Sequence, residues 1–512
     1  MGTTLVKGRT VIRGVDGRGK VQEIDDGAVL VREGAIAALG TAKDLAREAG
    51  DAEMLGGDDF VVLPGFVNAH HHVGLTPLQL GAPDLPLELW VNHRMGARVV
   101  DRYLDTLYSG FELVRSGVTS VQHLHNRVPG GVAEVCAGAR EVIRAYQDLG
   151  MRVSYSYALR DQNRIVYEDD EAFYARLPDD LAAPLRETVN ALALSAEDNL
   201  EVFGELSREF ADDGRVAIQL APLNFQWCSD AALERVADLS EERDVPIHLH
   251  LLETPYQRAY ARRRTGGSAL NHLDGMGLLN PRMTLGHGVW TTERDLDLIA
   301  ERDTRICHNC SSNLRLQSGW APVNAMLARG IKVAMGIDEA GMNDDRDMLQ
   351  EMRQVLRLHR VPGHQARVPS VAEVFRMATE HGAQTTGFGA RIGRLDVGCA
   401  ADLTLIRWSQ IAHPFLDPEV PVLDAVVQRA KPQGVDTVLI GGETVLEGGR
   451  FTRVDEAAIL RELAESLSCP PSEDEARRRA LAKRLLPYVE QFYEGYLANE
   501  PFAPYDHRHS RH

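Results

Sequence analysis

The stretch "VVLPGFVNAHHHVG", Val61 to Gly74, runs from apolar residues into three consecutive histidines. Val61, Val62, Leu63, Phe66 and Val67 read as one buried strand, interrupted at Pro64-Gly65. Residues two apart along a strand point to the same side. His70 and His72 therefore share a face, and His71 turns away from them. Two imidazoles converging at the end of a buried strand make a metal-ligand arrangement.

Seven further runs have the same strand character. They are VTSVQHL (118–124), RVSYSYAL (152–159), VAIQLAP (216–222), PIHLHLL (246–252), RMTLGHG (282–288), TRICHN (304–309) and KVAMGID (332–338). Helical patterns lie between them, at 229–244 with Ser229 as N-cap, at 291–303 and at 347–360. Eight strand-then-helix units predict an α/β chain folded as a parallel (β/α)8 TIM barrel. The rival, a doubly wound open sheet, usually carries a Gly-rich phosphate loop after its first strand, and no such loop occurs here. The flanks differ from the body. Residues 1–60 and 391–455 hold short strands with Gly and Asp turns, which predict a small β-sandwich built from both chain ends around a barrel at 61–390. Residues 456–512 read as a helical C-terminal extension ending in a flexible tail, HRHSRH, which has no fixed scaffold and is left out of the site.

The chain has 512 residues, 44% of them hydrophobic, and a formal charge of −18. No basic stretch is long enough to track phosphates, so neither nucleic acid nor an anionic membrane is an expected partner. There is no apolar run of spanning length and no charged-then-apolar leader, which predicts a soluble, cytoplasmic protein. Six cysteines make no disulfide framework. Cys307 and Cys310 form a CxxC, but no second pair follows, which argues against a zinc ribbon and leaves a redox pair as the weaker alternative.

In a parallel barrel, functional groups gather at the C-terminal ends of the strands. Those ends carry His70 and His72, then His248, His250 and Glu253, then His287, then His308 and Asn309, and finally Asp338. The motifs "PGFVNAHHH", "HLHLLET", "TLGHG", "HNCSSNLRLQSGWAPV" and "GIDEAGMNDDRDM" resemble those of the amidohydrolase superfamily. Within it they are similar to the branch of S-adenosylhomocysteine deaminase, guanine deaminase and atrazine chlorohydrolase. The resemblance extends to about residue 455. It implies that His70, His72, His250 and Asp338 bind one divalent metal ion, Zn2+ first and Fe2+ second. It also implies that Glu253 is the proton shuttle and that His287 contacts the metal-activated water or the substrate. Three imidazoles and a carboxylate leave a position for water, whose pKa the ion lowers. Asp338 can take that water's proton, and Glu253 can protonate a ring nitrogen. Two-metal relatives carry a bridging carbamylated lysine on the fourth strand. The segment VAIQLAPLNF has no lysine, so a mononuclear centre is expected.

Substrate contacts are sought in the strand-end loops. Leu78, Leu80 and Trp90 belong to the long 74–90 segment, similar to a lid in the family. His125, flanked by His123 and Asn126, follows the second strand, and Arg160 and Gln162 follow the third. His308, Asn309 and Glu339 complete the set, Glu339 standing where relatives often have glycine. The segment Leu223–Trp227 lacks the histidine that relatives acting on adenosine-like substrates often carry there. The expected function is metal-dependent hydrolytic deamination of an amino-substituted N-heterocycle. Hydrolysis of a urea, carbamate, amide or aryl chloride at the same site is the alternative. A non-catalytic homologue would have lost ligands, and every expected ligand is present. The resemblance also implies a homo-oligomer acting on a small molecule.

Overall fold

The computed structural model describes residues 2–72, 74–364 and 366–500. The histidine-rich tail at 507–512 lies outside the described residues.

Pro64-Gly65 turns out to be a switch between sheets. The strand Glu53–Pro64 pairs parallel with Thr3–Val15 and antiparallel with Leu403–Arg407. The strand Phe66–His71 instead pairs parallel with Val118–His125. The single strand expected over 61–67 is thus two strands in two sheets. The physical reason is local. Pro64 has no N–H to continue a ladder. The Gly65 N–H donates to the Asp402 carbonyl at 3.0 Å, and a Cβ at this position would lie 2.2 Å from the Thr119 side chain. Only glycine lets the backbone cross here.

The first of these sheets has nine strands and joins both ends of the chain, because Leu403–Arg407 lies beside Glu53–Pro64. Val6, Val29, Val62, Leu403 and Leu439 form its own buried cluster. The parallel strands fall into two groups. Phe66–His71, Val118–His125, Arg152–Leu159, Val216–Ile218 and Ala221–Pro222 make one, and Ile247–Leu251, Met283–His287, Arg305–His308 and Val333–Met335 make the other. The run expected as one strand at 216–222 is therefore two short strands. Isolated parallel bridges link the groups, Leu220 to Ile247 and Asn224 to His250 on one side, His71 to Asp338 on the other.

The expected helices appear as Asp230–Arg243, Glu293–Glu301 and Met348–Leu358, and Ser229 and Thr292 accept from backbone N–H groups as N-caps. After the nine-stranded sheet come Glu456–Ser468 and Glu473–Tyr493. The last helix buries Leu481, Leu485, Val489 and Tyr493, four residues apart on one face, against Met95, Val166 and Tyr167. Among the described residues no helix is long and apolar enough to cross a membrane.

Candidate metal centre

Strand ends bring four side chains together. His70 Nε2 lies 3.0 Å from His72 Nε2, which lies 3.1 Å from His250 Nε2. Asp338 Oδ1 is 3.3 Å from His72 Nε2 and 3.7 Å from His70 Nε2. All four residues are buried. The outer nitrogens fix the inner ones. His72 Nδ1 donates to the Leu124 carbonyl at 2.8 Å, and His250 Nδ1 donates to the Leu223 carbonyl at 2.5 Å. Both Nε2 atoms then carry lone pairs that face each other, and neither can donate to the other. Burial and the neighbouring imidazoles hold His250 and His70 well below the ordinary histidine value. A cation between the facing lone pairs resolves the conflict. The donor set of three imidazoles and one carboxylate suits zinc or a similar divalent ion.

Around this cluster stand further titratable groups. His287 Nδ1 donates to Asn313 Oδ1 at 2.8 Å, which turns Nε2 toward Glu253 Oε2 and Asp338 Oδ2, each 3.7 Å away. Ser312 Oγ donates to Asp338 Oδ2 at 2.9 Å. Ser318 Oγ donates to Glu253 Oε1 at 3.3 Å, and the Glu253 N–H donates to Gln257 Oε1 at 2.9 Å. Burial, reinforced by Asp338 and Glu88, pushes the Glu253 carboxyl well above the ordinary range. Leu252, His287 and Asp338 all have positive φ, at 50°, 71° and 66°. Left-handed backbone at three non-glycine positions is strain that the surrounding packing must hold in place.

Residues 61–445 match the amidohydrolase family. The chain belongs to that family. It is 31% identical over 449 residues to a 5-methylthioadenosine/S-adenosylhomocysteine deaminase of Syntrophomonas wolfei, covering 86% of this chain and 94% of that one. It is 30% identical over 446 residues to a 5'-deoxyadenosine deaminase of Methanothermobacter thermautotrophicus, covering 86% and 93%. The structure of a zinc-bound adenosine deaminase from Xanthomonas campestris superposes with a TM-score of 0.77 at 27% identity, over 91% of this chain and 98% of that one.

In this amidohydrolase the centre forms the floor of a cleft of about 1270 Å3, mouth included. Of the residues expected to meet substrate, Trp90, Asn126, Arg160 and Glu339 line the cleft. The Arg94 guanidinium lies 4.6 Å over the Trp90 ring and pairs with Glu339, and Arg160 lies 4.4 Å over Trp227. Other expected contacts lie outside the lining. His125 Nδ1 bonds the Tyr155 hydroxyl at 2.6 Å, within the sheet. Gln162 spends its amide on the Gln226 and Cys228 carbonyls. His308 turns to His359, and Asn309 sits behind His287 with Nδ2 at 3.4 Å. Leu78 is exposed, and Leu80 packs toward Leu75 and Leu463 rather than the cleft.

Further side chains stand around the cluster, and of these only Arg94 and Arg127 escape a reading from the sequence. His248 Nε2 bonds His70 Nδ1 at 2.8 Å and so orients a ligand. Ser312 and Asn313 stand in the quoted HNCSSN run, where their spacing was a usable signal. Arg94 and Arg127 line the cleft from loops with no periodicity to mark them.

Proposed function

We propose that this amidohydrolase deaminates an amino-substituted N-heterocycle hydrolytically. The observation that carries the reading is the pair of lone-pair nitrogens on His72 and His250, 3.1 Å apart beside the buried Glu253 carboxyl. His70, His72, His250 and Asp338 would hold one ion, zinc by preference. When bound, that ion supplies a Lewis acid that lowers the pKa of water toward neutrality.

The chain's own groups do the rest. Asp338 Oδ2, steadied by Ser312, accepts a proton at the floor of the cleft. Burial, then the neighbouring Asp338, raises the Glu253 carboxyl well above its ordinary range, which suits it to carry a proton. Glu253 gives a proton to a ring nitrogen of the substrate, the proton that Asp338 accepted passes to the departing amine, which leaves as ammonia, and the proton of the added hydroxyl returns to Glu253 as the carbonyl forms. His287 Nε2, which keeps its lone pair because Nδ1 donates to Asn313, stands 3.7 Å from both carboxyl groups and can accept a hydrogen bond from the attacking water or the substrate. Trp90 and Trp227, each stacked under a guanidinium, line the cleft that would receive the ring. The deaminases among the relatives support this choice of bond over a urea, carbamate or aryl chloride.

The finer architecture is part of the same reading. The bridged parallel strands close as a (β/α)8 barrel over 61–390, and the nine-stranded sheet folds over itself as a sandwich from 1–60 and 391–455. Residues 456–512 are the extension, and the enzyme works as a cytoplasmic homo-oligomer.

The test is a pooled incubation of zinc-loaded protein with aminopurines, pterins, aminotriazines, ureas and carbamates, read by mass spectrometry. Replacement of one amino group by oxygen is the expected change. Glu253→Gln should keep its metal and lose about 10²–10⁴-fold in turnover. Cleavage of a urea or carbamate into fragments, with no deamination, would overturn the reading.

A further inference from the structure

A second cluster of metal-ligating side chains lies behind the first. His308 ends the strand Arg305–His308, Cys310 opens the helix Cys310–Arg315, and His359 caps the helix Met348–Leu358. Their exposures are 1%, 0% and 4%. One ligand atom from each lies within 4.8 Å of the other two. His308 Nε2 and His359 Nε2 are 3.0 Å apart. Tetrahedral zinc, with nitrogen at about 2.0–2.1 Å and sulfur at about 2.3 Å, needs ligand atoms roughly 3.3–3.6 Å apart.

The CHNC run divides between two uses. Cys307 packs with Ala69 and Ala334 and directs Sγ to Asn309 Oδ1 at 3.4 Å. Neither Cys307 nor Cys310 is in a disulfide. Cys310 groups with the two imidazoles, and Cys307 does not.

We propose that His308, Cys310 and His359 bind a second divalent ion of borderline softness, zinc in the first place, in a structural role. Two imidazoles and a thiolate are ligands that such an ion prefers over the harder cations. On binding, a sulfur–metal bond forms and the thiol proton leaves to solvent, with no change of oxidation state. Among the described residues His308 Nδ1 has no hydrogen-bond partner, and the ring's polar contact, through Nε2, is with His359 in the cluster. The exposed turn at 360–363 next to His359 gives an entry path. The position explains what the ion would do. Two and three residues beyond Cys310 come Ser312, which holds Asp338, and Asn313, which holds His287. An ion at the start of this helix would pin both positioning groups.

Cobalt separates the two sites, because a thiolate ligand gives a near-ultraviolet sulfur-to-cobalt band and nitrogen or oxygen ligands do not. The full chain, stripped and reloaded with Co2+, should bind two equivalents and show the band. Cys310→Ser should lose one equivalent and the band while keeping the other. Asp338→Ala should weaken the first site and leave the band intact. Wild-type protein that binds one equivalent and shows no band would overturn the proposal, leaving His308 and His359 as an ordinary imidazole hydrogen bond. That result comes from the unmutated chain, so a poorly folding variant cannot obscure it.

Discussion

The floor and the walls of the cleft are built in opposite ways. The floor consists of His70, His72, His250, His287 and Asp338, each at or just beyond the end of a short parallel strand and each tied to a neighbour by a named hydrogen bond or close contact. The walls come from distant segments that touch only after folding. The helix Leu87–His93 and the turn Arg94–Gly96 form one side, and Glu473–Tyr493 packs on their outer face. Tyr167 shows the difference. Its N–H donates to the Tyr493 hydroxyl, 326 residues away, while its own hydroxyl donates to Glu88. Chemistry is specified by spacing along strands, and shape is specified by packing between elements. Damage to the floor should therefore abolish reaction with the fold intact, whereas damage to the walls should cost stability and substrate affinity with the metal intact.

Asp338→Ala tests the first half and carries the largest expected effect. On the proposed reading it removes a metal ligand and the proton acceptor together, so turnover should fall by at least about 10²-fold. Metal at the main site should fall in parallel, measured by elemental analysis. The Ser312 hydroxyl would lose its acceptor, but the helix Cys310–Arg315 should remain. Unchanged metal content would remove Asp338 from the ligand set and collapse the distinction between floor and walls.

The same division explains what could be read from the chain. The His70–His72 pair, His250, Glu253, His287 and Asp338 were legible because a strand repeats every two residues and a parallel sheet puts its loops at one end. The break at Gly65 was misread as a kink in one strand. Nothing local distinguishes a kinked strand from two strands in separate sheets; the contact that decides it is with Thr119. The substrate positions fared worse for a related reason. His125 and Gln162 sit at strand ends, as the rule requires, but their polar atoms are consumed by Tyr155 and by backbone carbonyls. Arg94 was missed because its place beside Glu339 depends on a pairing 245 residues apart in sequence.

Leu485→Ala tests the walls. Leu485 is fully buried on the inner face of Glu473–Tyr493, in the cluster with Met95 and Val166. Truncation should cost about 2–5 kcal/mol through lost burial and the cavity left behind. Thermal denaturation should register that loss, and KM should rise more than kcat falls, because the helix backs the turn that carries Arg94. Metal stoichiometry should not change. A fall in metal content would show that floor and walls are one cooperative unit.

The smallest effect comes from the cap of the same helix. Burial of Glu475 opposes its ionisation, but the N–H groups of Val99 and Ser472 and the Arg98 guanidinium outweigh it and draw the carboxyl down to about 2. A depressed carboxyl stabilises the folded state above its ordinary pKa, and that contribution is lost as pH falls through the folded value. The anchoring of 473–493 should therefore be complete above about pH 4.5 and weaken progressively toward pH 2. Glu475→Gln keeps part of the hydrogen bonding and loses the charge, so it should cost about 1 kcal/mol at neutral pH. Amide exchange within 473–493 reads the effect directly. Wild type should lose protection there on acidification before the parallel strands do, and the variant should show a weaker dependence over the same range. Equal acid sensitivity in both proteins would mean that the apolar face of Leu481, Leu485 and Val489 holds the wall alone, and that its ionic edge contributes nothing.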